Sequence, residues 1–275
     1  MWFWIIGGLI VWALVALAVG VVVGRGIRLA DARAGLAPAG AVEPRTARRR
    51  IPLPPLGVGL AAAAVLLEAT GYVTHLTGAS GTAARVLSMD APYSMPRAFV
   101  AALFAAAAVA ALAGAARIPG RRTWWAAVGV VAGAIALVKA GSTVHAEGMS
   151  RLSGAIGPIN ATVVSAAIAG GALAVLAFVS RAERRDRRRV LGCLAAYALA
   201  SVGLSAVSTV VAEQWVLPAT FLEESMEALA GVAFLVAVLV GVAPRLVLPA
   251  SWRLRRVADE ATLDVPERLP GIARG

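Results

Sequence analysis

Cysteine is almost missing from this sequence. Cys193 stands alone, which excludes an intrachain disulfide and any cysteine-cluster metal site. Its place near the start of an apolar run reads as that of a small packing residue. Lysine is equally scarce: Lys139 is the only one, and the other 25 basic residues are arginine. Histidine occurs twice, as His75 and His145, and no His-x-x-x-His or Glu-x-x-His sets two metal ligands on one helix face. The chain also lacks a Gly-x-x-x-x-Gly-Lys phosphate loop, a dinucleotide fingerprint and a Gly-x-Ser-x-Gly nucleophile turn. Nucleotide-driven pumping and serine hydrolysis therefore have no sequence support, and no cofactor is expected.

Charge is thin as well. Only 15% of the 275 residues are charged while 60% are hydrophobic, and the mean hydropathy is +0.80. A soluble domain of this size could not bury so much apolar surface, so the composition is that of a membrane protein. A helix needs roughly 20 apolar residues to cross the hydrocarbon, and seven segments qualify, at about 2–24, 56–76, 97–116, 123–144, 158–180, 190–212 and 222–244. The predicted fold is an all-α, polytopic transmembrane bundle. It comprises an N-terminal anchor (1–24), a basic Pro-rich linker (25–55), a six-helix core (56–247) and a basic tail (248–275). The first span has no charge before its apolar run and several after it, the reverse of a secretory signal.

The net charge of +11 is distributed unevenly. Arg25–Arg50, Arg117–Arg122, Arg181–Arg189 and Arg245–Arg274 hold 22 arginines, whereas the intervening connections hold only Arg85, Arg97 and Arg151. Basic loops remain cytoplasmic, which predicts an external N-terminus and a cytoplasmic C-terminus in a bacterial cell membrane. The same loops would attract anionic lipid headgroups, at about 1 kcal/mol per basic residue near the surface. No aromatic or recognition-helix pattern accompanies them, so nucleic acid is not an expected partner. A protein partner or a second copy of the chain stays open.

The polar residues of the spans converge on the predicted outer half. Glu68, Tyr72 and His75 share one helix face through their i, i+4, i+7 spacing. Lys139 lies near the outer end of its span, with His145 and Glu147 beyond it. Asn160 and Thr162 open the next span, and Tyr197, Ser201, Ser205 and Ser208 form a stripe on the one after. Glu223, Glu224 and Glu227 are placed on the first turns of the last span, where the helix dipole favours acids. A charge at the bilayer centre costs about 2.5–3.5 kcal/mol on insertion scales, so it normally faces the bundle and finds a partner. Either Glu68 or Glu227 is expected to neutralise Lys139. Gly129-x-x-x-Gly133 is expected to let helix backbones approach closely.

The segment "SMDAPYSMPRAF", with Asp90, the histidine His145 and the run "EESME" (Glu223, Glu224, Glu227) resemble elements of a group of uncharacterised bacterial multi-pass membrane proteins. In that group an Asp-containing segment precedes a span, the next span ends in a "DE…HE"-like motif, and the last opens with "EE-x-x-E". This chain carries "VKAGSTVH" where the group has its Asp-Glu pair. The resemblance implies a multi-pass fold and no established activity.

Three functional readings follow. The leading one is non-enzymatic: an outward-facing polar pocket that binds or transports a small solute, a lipid headgroup or a proton. Glu68, Lys139 and Glu227 are its central charges, with Tyr72, His75, His145, Ser205 and Glu223 around them. The second is a metal-dependent intramembrane hydrolase built on His75, His145 and Asp90. The third is a structural protein of the cell envelope.

Overall fold

A computed structural model describes residues 54–141, 143–181, 186–204, 206 and 212–248, with the backbone alone at 143–146. The anchor at 1–24, most of the linker at 25–55 and the tail beyond 248 lie outside the described residues. All regular structure among those residues is helical. The elements are α1 (Pro55–Leu76), α2 (Thr82–Leu87), α3 (Met95–Arg117), α4 (Arg122–Lys139), α5 (Thr143–Ile156), α6 (Pro158–Val179), α7 (Arg187–Ala198), α8 (Glu213–Val242) and α9 (Pro244–Val247). A 3-10 turn, Pro119–Arg121, joins α3 to α4, and α7 continues as a π-helical turn, Leu199–Leu204.

Among the described residues, five helical stretches are long and apolar enough to cross a membrane: Pro55–Leu76, Met95–Arg117, Pro119–Lys139, Pro158–Val179 and Glu213–Val242. Together they mark a multi-pass membrane protein. The outside of the bundle agrees, for Val109, Val130, Ile159, Val175 and Phe178 all face outward with more than half their surface exposed. Such an apolar exterior suits hydrocarbon and not water. Hydroxyls on the spans are satisfied locally: Thr70, Thr74, Thr162 and Ser165 each donate to the carbonyl four residues back.

Proline begins several helices. Pro55, Pro96, Pro158 and Pro244 occupy the first turn, where the missing N–H leaves no intrahelical bond unmade. The connections are short, so successive helices run antiparallel. α8 is central, with 67% of its most apolar stretch buried against 6% for the peripheral α6. It packs on α1, α3 and α7, and α3 packs along α4. Phe104 of α3 stacks on Phe234 of α8 at 5.3 Å and meets the edge of Tyr197 of α7 at 4.7 Å.

Small residues set the closest approaches. A Cβ at Gly129 would come within 2.8 Å of Leu112 and 3.3 Å of the Ala108 carbonyl, so the α3–α4 contact depends on that glycine. Gly133, one turn on, has ordinary clearance at 3.9 Å. At the arginine-rich end of the bundle, Asp186 is fully buried, 3.2 Å from Arg121 and 3.7 Å from Arg189.

Three boundaries differ from the sequence reading. α4 stops at Lys139, because Ala140 caps it and Gly141 turns the chain with φ of 95° into a separate helix, α5. Of the segment expected to span at 190–212, the described part is the end of a 12-residue α-helix, Arg187–Ala198, and a 6-residue π turn; residues 205 and 207–211 lie outside the described residues, and the described part is not among the five. The last helix begins at Glu213, not near 222, and carries Pro218 inside it.

Candidate functional site

Lys139 is the last residue of α4 and only 6% exposed. Its ammonium donates to Glu224 at 3.1 Å and forms an ion pair with Glu227. Three residues apart on α8, the two glutamates share a face. They are not first-turn acids. With α8 starting at Glu213, a rise of 1.5 Å per residue puts Glu224 about 16 Å inside the helix, too far for its positive end to act. Lys139 supplies the compensation that the helix dipole does not.

Glu68 of α1 is 1% exposed. Of the two alternatives for Lys139, the bond to Glu68 is not made: Glu68 Oε2 has no hydrogen-bond partner among the described residues. The carboxylate nonetheless lies within electrostatic reach of Lys139, Arg97, Glu224 and Glu227. Glu224 and Glu227 hold Lys139, and Glu68 faces the pair unbonded. Tyr197 of α7 is 7% exposed and lies within electrostatic reach of Glu227 and Glu224.

Beside these charges lies a half-open cavity of about 1010 Å³, bordered by α4, α5, α6, α7 and α8, with Arg97 reaching it from α3. Arg97, Lys139, Glu223, Glu224, Glu227 and Tyr197 give it polar character, and Ile135, Val138, Ile168, Leu173, Leu176 and Leu194 supply an apolar wall. Gly148, Met149 and Leu152 bring α5 against it. Its volume matches the upper end of small-molecule sites, about 300–1,000 Å³, which combine apolar walls with a few placed polar groups. Tyr197 and Ser201 line it at the junction of α7 with the π turn. Such turns often re-aim side chains at functional sites.

Arg97 was legible only as a loop arginine. It is the third residue of α3 and lines the cavity; its Nη1 donates to the Asp90 carbonyl at 3.3 Å, while its Nε is buried without a partner among the described residues. One signal was available: Arg97 follows Pro96 directly at a helix start, so it belongs to the span and not to the preceding loop.

The remaining candidates lie elsewhere. Tyr72 packs on Phe221 at 4.8 Å and does not line the cavity. His75 Nε2 is 3.0 Å from Ser88 Oγ, and Ser88 donates to Asp90 Oδ1 at 2.8 Å. His75 and Asp90 are themselves 3.6 Å apart. This trio ties the segment after α2 to the end of α1, helped by Gly71, where a Cβ would meet the Leu87 carbonyl at 2.7 Å. Glu147 pairs with Arg151 at 3.6 Å on the exposed face of α5. The His145 side chain and Ser205 lie outside what is described. Among the described residues no three His, Cys, Asp or Glu side chains are grouped to hold a metal ion. No family model matches the chain, and neither a curated protein nor a solved structure is similar to it.

Proposed function

We propose that this is a multi-pass protein of a bacterial cytoplasmic membrane whose intramembrane cavity, open toward the outer face, binds or conducts a small amphiphile. The class covers a solute with an apolar body and one polar group, or a lipid presenting its headgroup. One observation carries the reading: a roughly 1010 Å³ apolar cavity is bordered on one side by Lys139, Glu224 and Glu227. A purely structural ion pair needs no cavity beside it, because burial and partners alone satisfy it. The metal-dependent hydrolase reading draws no support from the cavity, since His75 and Asp90 are not among the residues that line it.

The outward direction rests on the arginine distribution. Arg117, Arg121, Arg122, Arg181, Arg187 and Arg245 lie at the ends of helices opposite to the end where α4 delivers Lys139. A cytoplasmic location for the first group turns the charged side of the cavity to the exterior.

Native mass spectrometry of the protein released from its own membrane tests the binding role. The expected result is a retained small molecule whose adduct disappears in Ala169→Trp, a substitution that fills the cavity wall. An adduct spectrum unchanged by that substitution would remove the cavity from the function.

A further inference from the structure

The charges beside the cavity do not balance. Lys139 of α4 and Arg97 of α3 are the described cations at the site, and Glu224 and Glu227 of α8 border it. Glu68 of α1 adds a third carboxylate within electrostatic reach of all four. Tyr197 of α7, at Glu227, is neutral when protonated. α6 contributes only the hydroxyls of Thr162 and Ser165; on α5, Glu147 and Arg151 pair with each other on its exposed face, and the His145 side chain lies outside the described residues. Even with Glu223 set aside, three carboxylates face two cations. Glu68 is the member left over, 1% exposed and with Oε2 lacking a hydrogen-bond partner among the described residues.

An uncompensated charge in a low-dielectric interior is expensive, and two agents can remove it: a proton on one carboxylate, or a cation brought by a ligand. An anionic ligand would enlarge the excess. A small inorganic cation would leave the apolar wall of Ile135, Val138, Leu173 and Leu176 facing nothing it can use. An ion with an apolar body satisfies both parts of the cavity at once.

Resting on the binding role above, we propose that the cavity takes an amphiphilic monovalent cation, an apolar body bearing one ammonium-like or phosphonium-like charge, in exchange for one proton held on the Glu68–Glu224–Glu227 carboxylates. The proton leaves for solvent as the cation enters, and the net charge of the cluster is unchanged. Binding therefore tightens as pH rises, by up to about tenfold per pH unit while one proton is displaced per cation. The sign follows from competition: at low pH the proton already occupies the place of the ligand's charge.

Two probes of the same shape and opposite charge decide the matter, tetraphenylphosphonium and tetraphenylborate. Each is titrated into the purified full-length protein in a neutral detergent, by calorimetry in two buffers of different ionisation enthalpy so that released protons are counted. The expected result is saturable binding of the phosphonium with release of about one proton, and no saturable binding of the borate. Glu68→Gln should abolish the proton release and flatten the pH dependence, because it removes the excess carboxylate and leaves the cavity in place. Ala169→Trp should abolish phosphonium binding with the charges intact; Ala134→Phe, on the α4 wall, replaces it if that protein does not fold. Saturable binding of the borate instead, or of the phosphonium without proton release, overturns the cation-for-proton inference while leaving a binding cavity. Failure of both ions to bind overturns this inference, and the binding role then stands or falls on the adduct lost in Ala169→Trp.

Discussion

The Lys139 ammonium lies 3.1 Å from the Glu224 carboxylate, joining the last residue of α4 to the interior of α8. Glu227 meets the same ammonium one turn further along α8. Both sides are almost fully enclosed, with side-chain exposures of 7% for Lys139 and 9% for Glu224. Removing one member of such a group leaves buried charge without its partner, which typically costs about 3–5 kcal/mol.

Lys139→Met is therefore expected to lower unfolding stability by about that amount. Adding Glu224→Gln or Glu227→Gln to Lys139→Met should recover part of the loss, since the orphaned carboxylate is then neutral. Glu147→Gln should recover nothing, because Glu147 sits on the exposed face of α5 with Arg151. A double-mutant cycle read by chemical denaturation in detergent isolates the coupling. Equal recovery by all three changes would show that the ammonium is not held by α8.

Glu68→Gln should act in the opposite direction. Its Oε2 has no bond to lose among the described residues, and an amide of the same shape removes the excess carboxylate that otherwise has to be neutralised. Stability is expected to hold or rise, while Glu227→Gln alone lowers it. A loss with Glu68→Gln as large as that with Lys139→Met would place Glu68 among the bonded acids.

Close helix approach predicts a contrast between glycines. Gly129→Val drives a side chain into Leu112 and the Ala108 carbonyl, and overpacking of this kind costs about 1–3 kcal/mol. Gly170 has nothing within 4 Å of an added Cβ. Gly170→Ala in α6 is expected to be stabilising, by about 0.5–1 kcal/mol at most, through helix propensity. Thermal midpoints of the two purified variants measure the contrast; a stable Gly129→Val would mean that α3 and α4 do not pack as described.

Topology reporters provide an independent check on direction. A reporter inserted near Gly81 is expected to lie outside and one after Arg189 inside, because 22 of 25 arginines fall in alternate connections. The inverse result would place the charged side of the cavity on the cytoplasmic face.

Much of this architecture is written in plain apolar runs. The helices at Pro55–Leu76, Met95–Arg117 and Pro158–Val179 coincide closely with stretches that Ala, Val, Leu and Gly make continuous. That Lys139 needs a buried carboxylate at matching depth was also legible, but the residues alone left Glu68 and Glu227 as equal alternatives, and Glu227 is the one that pairs with it. Glu224 was misplaced for a specific reason. "EQWVLPAT" reads as a loop on account of Glu213, Gln214 and Pro218, yet α8 starts there, so every later acid sits deeper than its distance from Pro218 implies. Arg97 reads as a loop charge by its distance from the apolar run, yet it lies on the first turn of α3. The π turn at Leu199–Leu204 breaks the 3.6-residue period on which the Tyr197–Ser208 stripe depends. No local composition announces that break.

The central claim is that a water-reachable cavity opens from the outer face beside Lys139, and paired cysteine labelling tests it most directly. In a Cys193→Ser background, Ser201→Cys places a thiol on the cavity wall, and Val175→Cys places one on the bundle exterior, 61% exposed. Intact cells are treated with a membrane-impermeant, permanently cationic thiosulfonate, which reacts only with a thiol that water can ionise. Rapid modification at Ser201→Cys and none at Val175→Cys is the expected result, with the Ser201→Cys reaction blocked by adding Ala169→Trp. Labelling at Val175→Cys with none at Ser201→Cys would contradict the account, for it would put water where lipid should be and close the cavity to the outside.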